Sequence, residues 1–208
     1  MVSSQQAVRE TGRGRASSSS AGGRKVTFGY HLVEGKTPHG MEDLHVAEFR
    51  RLDDGNEVGR PLRRDGGDGG STAVTAILIN GETLAVANVG DSGAVAFDVR
   101  AGRAQQLSVD HEPLRERDAI EHCGGFVTEI HGDVPRVDAQ LATSRAFGDR
   151  QIKEHISSDP NVTIEDVGRR RRRWRRWRGT ADAWKAAAEL VGEALDRGSE
   201  DDIACVVE

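Results

Sequence analysis

The sequence predicts an α+β fold in which antiparallel sheet dominates. Two observations lead there. Between Ser71 and Val99, apolar residues alternate with small or polar ones, in runs broken by Asn80-Gly81 and by Gly90-Asp91-Ser92-Gly93, which is the period of half-buried strands. Two other stretches, Glu112–His122 and Asp182–Asp196, space their apolar residues along one face of a helix. The helices stand apart from the strands, and no internal repeat is present.

The elements follow in order. Met1–Lys25 is rich in Ser, Gly and Arg with Glu10 as its only acid, so it is read as a disordered tail that has nothing to bury. An organelle transit peptide is the alternative for this leader. Val26, Phe28, Tyr30 and Leu32 alternate as a strand, Thr37-Pro38-His39-Gly40 breaks it, and His45–Phe49 resumes it. Asp53–Gly70 holds six glycines and eight charged residues, and it is read as a loop. Ser71–Val99 is read as a three-stranded meander whose first turn, Asn80-Gly81, suits the positive φ angles of a type I′ hairpin. Glu112–His122 is a short helix with Pro113 in its first turn, Leu114 and Ile120 facing inward and Gly124-Gly125 ending it. Phe126–Ile130 and Val134–Gln140 form a strand pair. The second helix turns Trp184, Ala187, Ala188, Val191 and Leu195 to one side, and Asp202–Val207 closes the chain as an apolar strand.

With 208 residues, 36% of them hydrophobic, the chain has room for one domain plus a tail. No apolar run reaches the roughly 18 residues of a membrane-spanning helix, and the N-terminus lacks the apolar core of a secretory signal. No membrane partner is expected. Cys123 and Cys205 are too few for a disulfide framework and are read as small core residues in a reducing compartment, cytoplasm or nucleus. The net charge of −5 hides a local extreme, because eight arginines fall within Arg169–Arg178. Elsewhere acids outnumber bases, which disfavours nucleic acid as the main partner and is compatible with cation binding.

There is no Walker loop, no G-x-S-x-G elbow, no H-E-x-x-H and no zinc-type cysteine spacing. The carboxylates that stand out are Glu42-Asp43, Asp91 and Asp201-Asp202, each at a strand end or turn. Hard oxygen ligands at loop tips suit Mg2+ or Mn2+, which keep several waters and take few carboxylates.

The blocks around these acids are more specific. Gly29-Tyr-His-Leu-Val-Glu-Gly-Lys36, followed by Met41-Glu-Asp43, resembles the N-terminal signature of plant type 2C protein phosphatases. Ala87-Asn-Val-Gly-Asp-Ser-Gly-Ala-Val95 is similar to their central A-N-V-G-D-S-R-A-V block. Val109-Asp-His-Glu-Pro-Leu-Arg-Glu-Arg117, Gly124-Gly-Phe-Val127, Gly132-Asp-Val-Pro-Arg-Val137, Gln140–Asp149 and Ser199–Val207 follow in the family's order. The resemblance implies a β-sandwich of two antiparallel sheets flanked by helices, with two metal ions activating a bridging water against phosphoserine or phosphothreonine. It places Glu42 near the second metal and Asp43 on metal-bound waters. It makes Asp91 a ligand of a third, weaker metal and Asp201 a ligand of the first, with Asp202 beside it.

Two family motifs are missing. The strand after M-E-D should end in aspartate-glycine-histidine-glycine, whose aspartate bridges the metals, and a helix pair should follow. Asp53–Gly70 stands there instead. Its Asp65-Gly66 and Asp68-Gly69 lack both the preceding apolar strand and the following histidine. Downstream of Asp159–Val162, a serine-aspartate-glycine-leucine-tryptophan block should bring a further metal ligand, but that place holds Arg169, Arg170, Arg171, Arg172, Arg173, Trp174, Arg175, Arg176, Trp177 and Arg178. Pro38 stands where many members have a phosphate-contacting arginine, for which Lys36 is a partial substitute, and Gly93 replaces the arginine after Asp-Ser.

The sequence reading is therefore an incomplete type 2C phosphatase-like sandwich over residues 26–208, interrupted by the glycine-rich loop 53–70 and the Arg/Trp insert 169–178. Without a bridging carboxylate two dications repel at close range, so Glu42, Asp91 and Asp201 are read as relics that hold no cofactor tightly. The expected role is phosphoprotein binding without turnover. One alternative is a Mg2+- or Mn2+-dependent serine/threonine phosphatase using Glu42, Asp201 and a ligand from the glycine-rich loop. Another is nucleic-acid or import-receptor binding through the arginine run, where weak, salt-sensitive contact with RNA is expected.

Overall fold

The computed structural model describes residues 13–21, 24–36, 43, 47, 69–98, 102–166 and 182–207. The expected strand at His45–Phe49, most of the glycine-rich loop and the whole arginine run lie outside these. The chain divides into two compact units, Met1–Asn56 with Arg178–Glu208, and Glu57–Trp177. Both boundaries fall inside the two segments whose composition had set them apart, 53–70 and 169–178. The α+β class holds, and every pair among the described strands is antiparallel.

In the first unit, β1 (Arg13–Ala21), β2 (Arg24–Val33) and β12 (Ile203–Val207) form a sheet in the order β1-β2-β12. β1 corrects the reading of 1–25 as a wholly disordered tail. It is held by backbone pairing to β2, from Arg13 opposite His31 to Ala21 opposite Arg24. Every residue but proline brings a donor and an acceptor to such a ladder, so a Ser-rich stretch can join an existing strand without apolar side chains. α2 (Ala183–Asp196) packs on β2 and β12. Its predicted apolar face is largely borne out: Ala187 and Val191 are fully buried, although Leu195 near its end is exposed. Alternation on β2 buries Phe28 and Leu32 on one side, while Gly29 on the other meets the backbone of α2.

The second unit is built on β4 (Ala73–Ile79), β5 (Thr83–Val89) and β11 (Asn161–Asp166), in the order β11-β5-β4. The β4–β5 hairpin turns as predicted, with Asn80 at φ 53° and Gly81 at φ 67°, and Glu82 N donates to Ile79 O at 3.0 Å. The meander is corrected, because β5 takes β11 as its second partner. The expected third strand, β6 (Val95–Asp98), instead pairs with β7 (Arg103–Gln106), a hairpin the sequence reading missed. The reason is geometric. Gly90 (φ +97°) and the residues after it turn the chain away before β6 begins, and the ladder position beside β5 is filled from far along the chain.

The first predicted helix is shorter than expected, α1 (Arg117–His122), with hydrogen-bonded turns over 113–116. Ile120 is buried as predicted and Gly124-Gly125 ends the helix, but Leu114 is exposed. Cys123 is also exposed, which corrects its reading as a core residue, whereas burial pushes the half-buried Cys205 thiol up. β8 (Val127–Thr128) pairs with β9 (Arg136–Val137) where a strand pair was expected, and β3 (Gly70–Ser71) pairs with β10 (Phe147–Gly148). Val86, Val89, Leu107, Ile120, Val137, Ala146 and Ile152 form this unit's core.

Asp149, next to β10, is a strained point. It lies at φ +47°, its Oδ2 is buried with no hydrogen-bond partner, and its carboxylate fills the space above Gly70. Burial pushes this carboxyl up from the ordinary value of 3.8. A raised acid costs nothing while protonated, so its penalty grows as pH rises through that ordinary value and is complete above the folded one. Asp149→Asn, which tolerates positive φ and carries no charge, is therefore expected to stabilise the protein at pH 7 by about 1 kcal/mol. At pH 3 the gain should vanish. Denaturant melts at the two pH values check this.

Candidate functional site

The acids singled out in the sequence fall on both units. In the first unit, antiparallel pairing of β2 with β12 places the end of one beside the start of the other. Gly35 N donates to Asp202 Oδ1 at 2.8 Å, and Lys36 N donates to Glu200 O at 2.8 Å. A side chain at Gly35 would come within 2.5 Å of the Glu200 carbonyl oxygen, so the close approach requires glycine. Asp202 N donates in turn to Asp201 Oδ1 at 2.9 Å. Lys36, Asp201 and Asp202 are thus brought together. The Lys36 ammonium faces Glu200 Oε1 at 3.6 Å, an exposed ion pair that any phosphate drawn to Lys36 must displace. Asp43 is half-buried and Asp201 exposed, while Glu42 lies outside the described residues.

In the second unit Asp91 is exposed on the turn after β5, and a buried polar network holds that turn. Asn88 Nδ2 donates to the carbonyls of Gly90 (3.0 Å) and Val109 (3.2 Å). Gly90 O also accepts from His111 N at 3.1 Å. His111 Nδ1 lies 3.0 Å from the Gly90 amide and 2.9 Å from Gly90 O, so in one tautomer it accepts from that amide and in the other it donates to that carbonyl. Thr72 and Ser92 close the turn through their hydroxyls at 2.9 Å.

The network continues behind His111. Its carbonyl accepts from Ser144 N at 2.8 Å and from Thr143 Oγ1 at 2.9 Å. Ser144 Oγ donates to Glu116 Oε2 at 2.8 Å, and Arg145 Nε donates to both Glu116 oxygens at 3.0 Å. Arg145 Nη1 reaches the Asp159 carbonyl at 2.7 Å. The Arg145 guanidinium holds the Glu116 carboxyl below the ordinary carboxylate range. The sequence reading passed over Glu116, His111, Ser144 and Arg145 as supports. The available signal was a pair of blocks, Val109–Arg117 and Gln140–Asp149, that place charged and hydroxyl residues where a small unit must bury something.

These residues position a turn and a strand end; they do not by themselves make a metal centre. Among the described residues no three of His, Cys, Asp and Glu converge as metal ligands. In the first unit, one oxygen of Asp201 and one of Asp202 are engaged by backbone amides. Within the described residues these carboxylates do not gather into a two-metal site. No described helix is long and apolar enough to cross a membrane.

Residues 48–173 match the family model described as protein phosphatase 2C. A rice relative (Oryza sativa subsp. japonica), named "Putative protein phosphatase 2C 63", is 93% identical over 179 residues, 86% of this chain and 76% of its own. An Arabidopsis thaliana relative, named "Probable protein phosphatase 2C 10", is 41% identical over 265 positions, 93% of each chain. That alignment is longer than the 208 residues of this chain, so the Arabidopsis relative has internal segments with no counterpart here. Among solved structures, that of a C. elegans sex determining protein shares the fold with a TM-score of 0.53 and 24% identity. The match covers 67% of this chain and 40% of that one.

Proposed function

The chain belongs to the protein phosphatase 2C family, and from that membership we propose that it is a catalytically silent member that binds phosphoserine or phosphothreonine proteins without hydrolysing them. The observation that carries this reading is the pair of replaced segments. Where the family's bridging aspartate belongs, the chain has the glycine-rich Asp53–Gly70, and where a further ligand belongs it has eight arginines. The longer alignment with the Arabidopsis relative supports a loss of internal segments.

The physical consequence is electrostatic. Two dications a few ångströms apart need a shared carboxylate to screen them, and guanidinium groups add repulsion. Glu42, Asp91 and Asp201 are left as relic positions. What remains for phosphate is charge: Lys36, once freed from Glu200, and arginines of the run. Binding of this kind is weak and sensitive to salt.

Calorimetry with Mn2+ and a phosphopeptide turnover assay on the full chain test the reading together. We expect no Mn2+ site of micromolar affinity and no phosphate release above the buffer rate. Two micromolar Mn2+ sites lost on Asp201→Ala, with turnover lost in step, would overturn silence. That result would favour the alternative of a Mg2+- or Mn2+-dependent serine/threonine phosphatase, and substitution of Asp65 and Asp68 would then test the glycine-rich segment as the source of a ligand.

A further inference from the structure

The sheet β11-β5-β4 has two faces of different character. By register, Val86 and Asn88 of β5 share one face with Thr163, Asn161 and Glu165 of β11. Over β5 and β11 that face is covered: Val86 and Asn88 are buried, and Gln105 of β7 reaches Glu165 Oε1 at 3.0 Å. The opposite face is a groove. Ala85 and Ala87 of β5 are its floor, with Ile77 and Thr75 of β4 as one wall and Ile164 and Val162 of β11 as the other. Ile164 and Val162 are 70% and 60% exposed, so the groove is open to solvent along β11. The hairpin β6–β7 carries the converse shape. It turns Gln105, with its register partner Ala96, toward β11. Strand alternation therefore sends Val95 and Phe97 outward, where they are 63% and 53% exposed. Groove and ridge thus stand on opposite sides of one unit.

We propose that the Val95–Phe97 ridge of one copy of this chain packs into the alanine-floored groove of a second copy. Two matches between the surfaces name that occupant. Val95 and Phe97 are two residues apart on a strand, as Ala85 and Ala87 are, so both side chains meet both gaps at once. The row Ile77–Ala85–Ile164 leaves the deeper gap and takes Phe97, while Thr75–Ala87–Val162 takes Val95. The contact is face to face, side chain against side chain, and uses no backbone hydrogen bond. It is also heterologous, because ridge and groove are different surfaces. A copy that gives its ridge still presents its own groove, so association runs past the dimer instead of closing. So few side chains bury less than the roughly 1,200 Å² of a stable interface, and the association is weak and concentration-dependent.

Sedimentation velocity of the full chain from about 5 to 500 µM tests it, a range suited to so small a contact. Reversible species that grow past dimer with concentration are expected. Phe97→Asp carries a charge into the groove and Ala85→Gln fills it, and each alone should weaken the association more than about ten-fold. Mixed one to one, the two variants should form a dimer and nothing larger. The Ala85→Gln copy still offers its ridge, and the Phe97→Asp copy still offers its groove. Misfolded variants would not pair in this way, so the mixture also reports on the fold. Leu190→Ser, at an exposed position of α2, should leave the association intact. A parent chain that stays monomeric throughout, or association indifferent to both groove and ridge changes, overturns the proposal. So does a loss in Leu190→Ser as large as in Phe97→Asp. A mixture that stays monomeric or grows past dimer overturns the pairing of ridge with groove.

Discussion

Replacing Gly29 with alanine is expected to separate α2 from its sheet and to cost about 3 kcal/mol or more. The added Cβ would sit 2.5 Å from the carbonyl carbon of Ala183 and closer still to the backbone N and Cα of Trp184. Most overpacked sites relax by turning a side chain. Here the obstruction is main chain in the first turn of a helix, so the helix itself must move, and Ala187 and Val191 leave their buried positions with it. Such a loss is a large share of a domain's net stability of roughly 5–15 kcal/mol. Thermal melts followed by limited proteolysis check it, with cleavage expected within 183–196. Gly192, in the same helix, has nothing within 4 Å of an added Cβ. Gly192→Ala should therefore stabilise by about 1 kcal/mol through helix propensity alone. If both changes have the same sign, the close approach at Gly29 is not what fixes the helix.

Glu116→Gln is expected to destabilise the second unit by about 2 kcal/mol at pH 7. Ser144 and Arg145 both donate to this carboxylate, and both side chains of the ion pair are largely buried, 24% exposed for Glu116 and 19% for Arg145. The amide keeps the shape but turns a donor toward the guanidinium and leaves that largely buried charge without its carboxylate partner. The pH dependence separates charge from packing. Because the Arg145 hydrogen bonds lower the folded carboxyl from its ordinary value of 4.5, its contribution is fully present above that value and is lost as pH falls through the folded one. The difference between the parent chain and Glu116→Gln should accordingly shrink below about pH 4.5 and be nearly gone where Glu116 is protonated. A difference that persists undiminished at pH 2 would mean the carboxylate's charge is not what stabilises this region.

Much of the architecture was legible in the chain because it is local. Asn80-Gly81 specifies a turn through positive φ, and the spacing of Ala187 and Val191 specifies the buried face of α2. The order of blocks from Gly29 to Val207 marked the family. Composition also picked out 53–70 and 169–178, within which the two units part. These are properties of single residues and near neighbours, and they need no knowledge of what lies across the fold.

Strand pairing is different. The backbone groups that join β5 to β11, or β1 to β2, are the same at every residue, so no local pattern says that Ala94–Val99 will leave β5 and fold back on Arg103–Gln106. The same holds for the sites. Sequence marked Asp201, Asp202 and Lys36 separately, and only the β2–β12 ladder put them side by side. It marked Asp91 but not the support of its turn, because Glu116, Arg145, His111 and Asn88 become partners only once distant segments are packed together. Residue identity determined turns, periodicity and kinship. The tertiary structure decided which edge met which, because backbone pairing carries no label until packing chooses one partner over another.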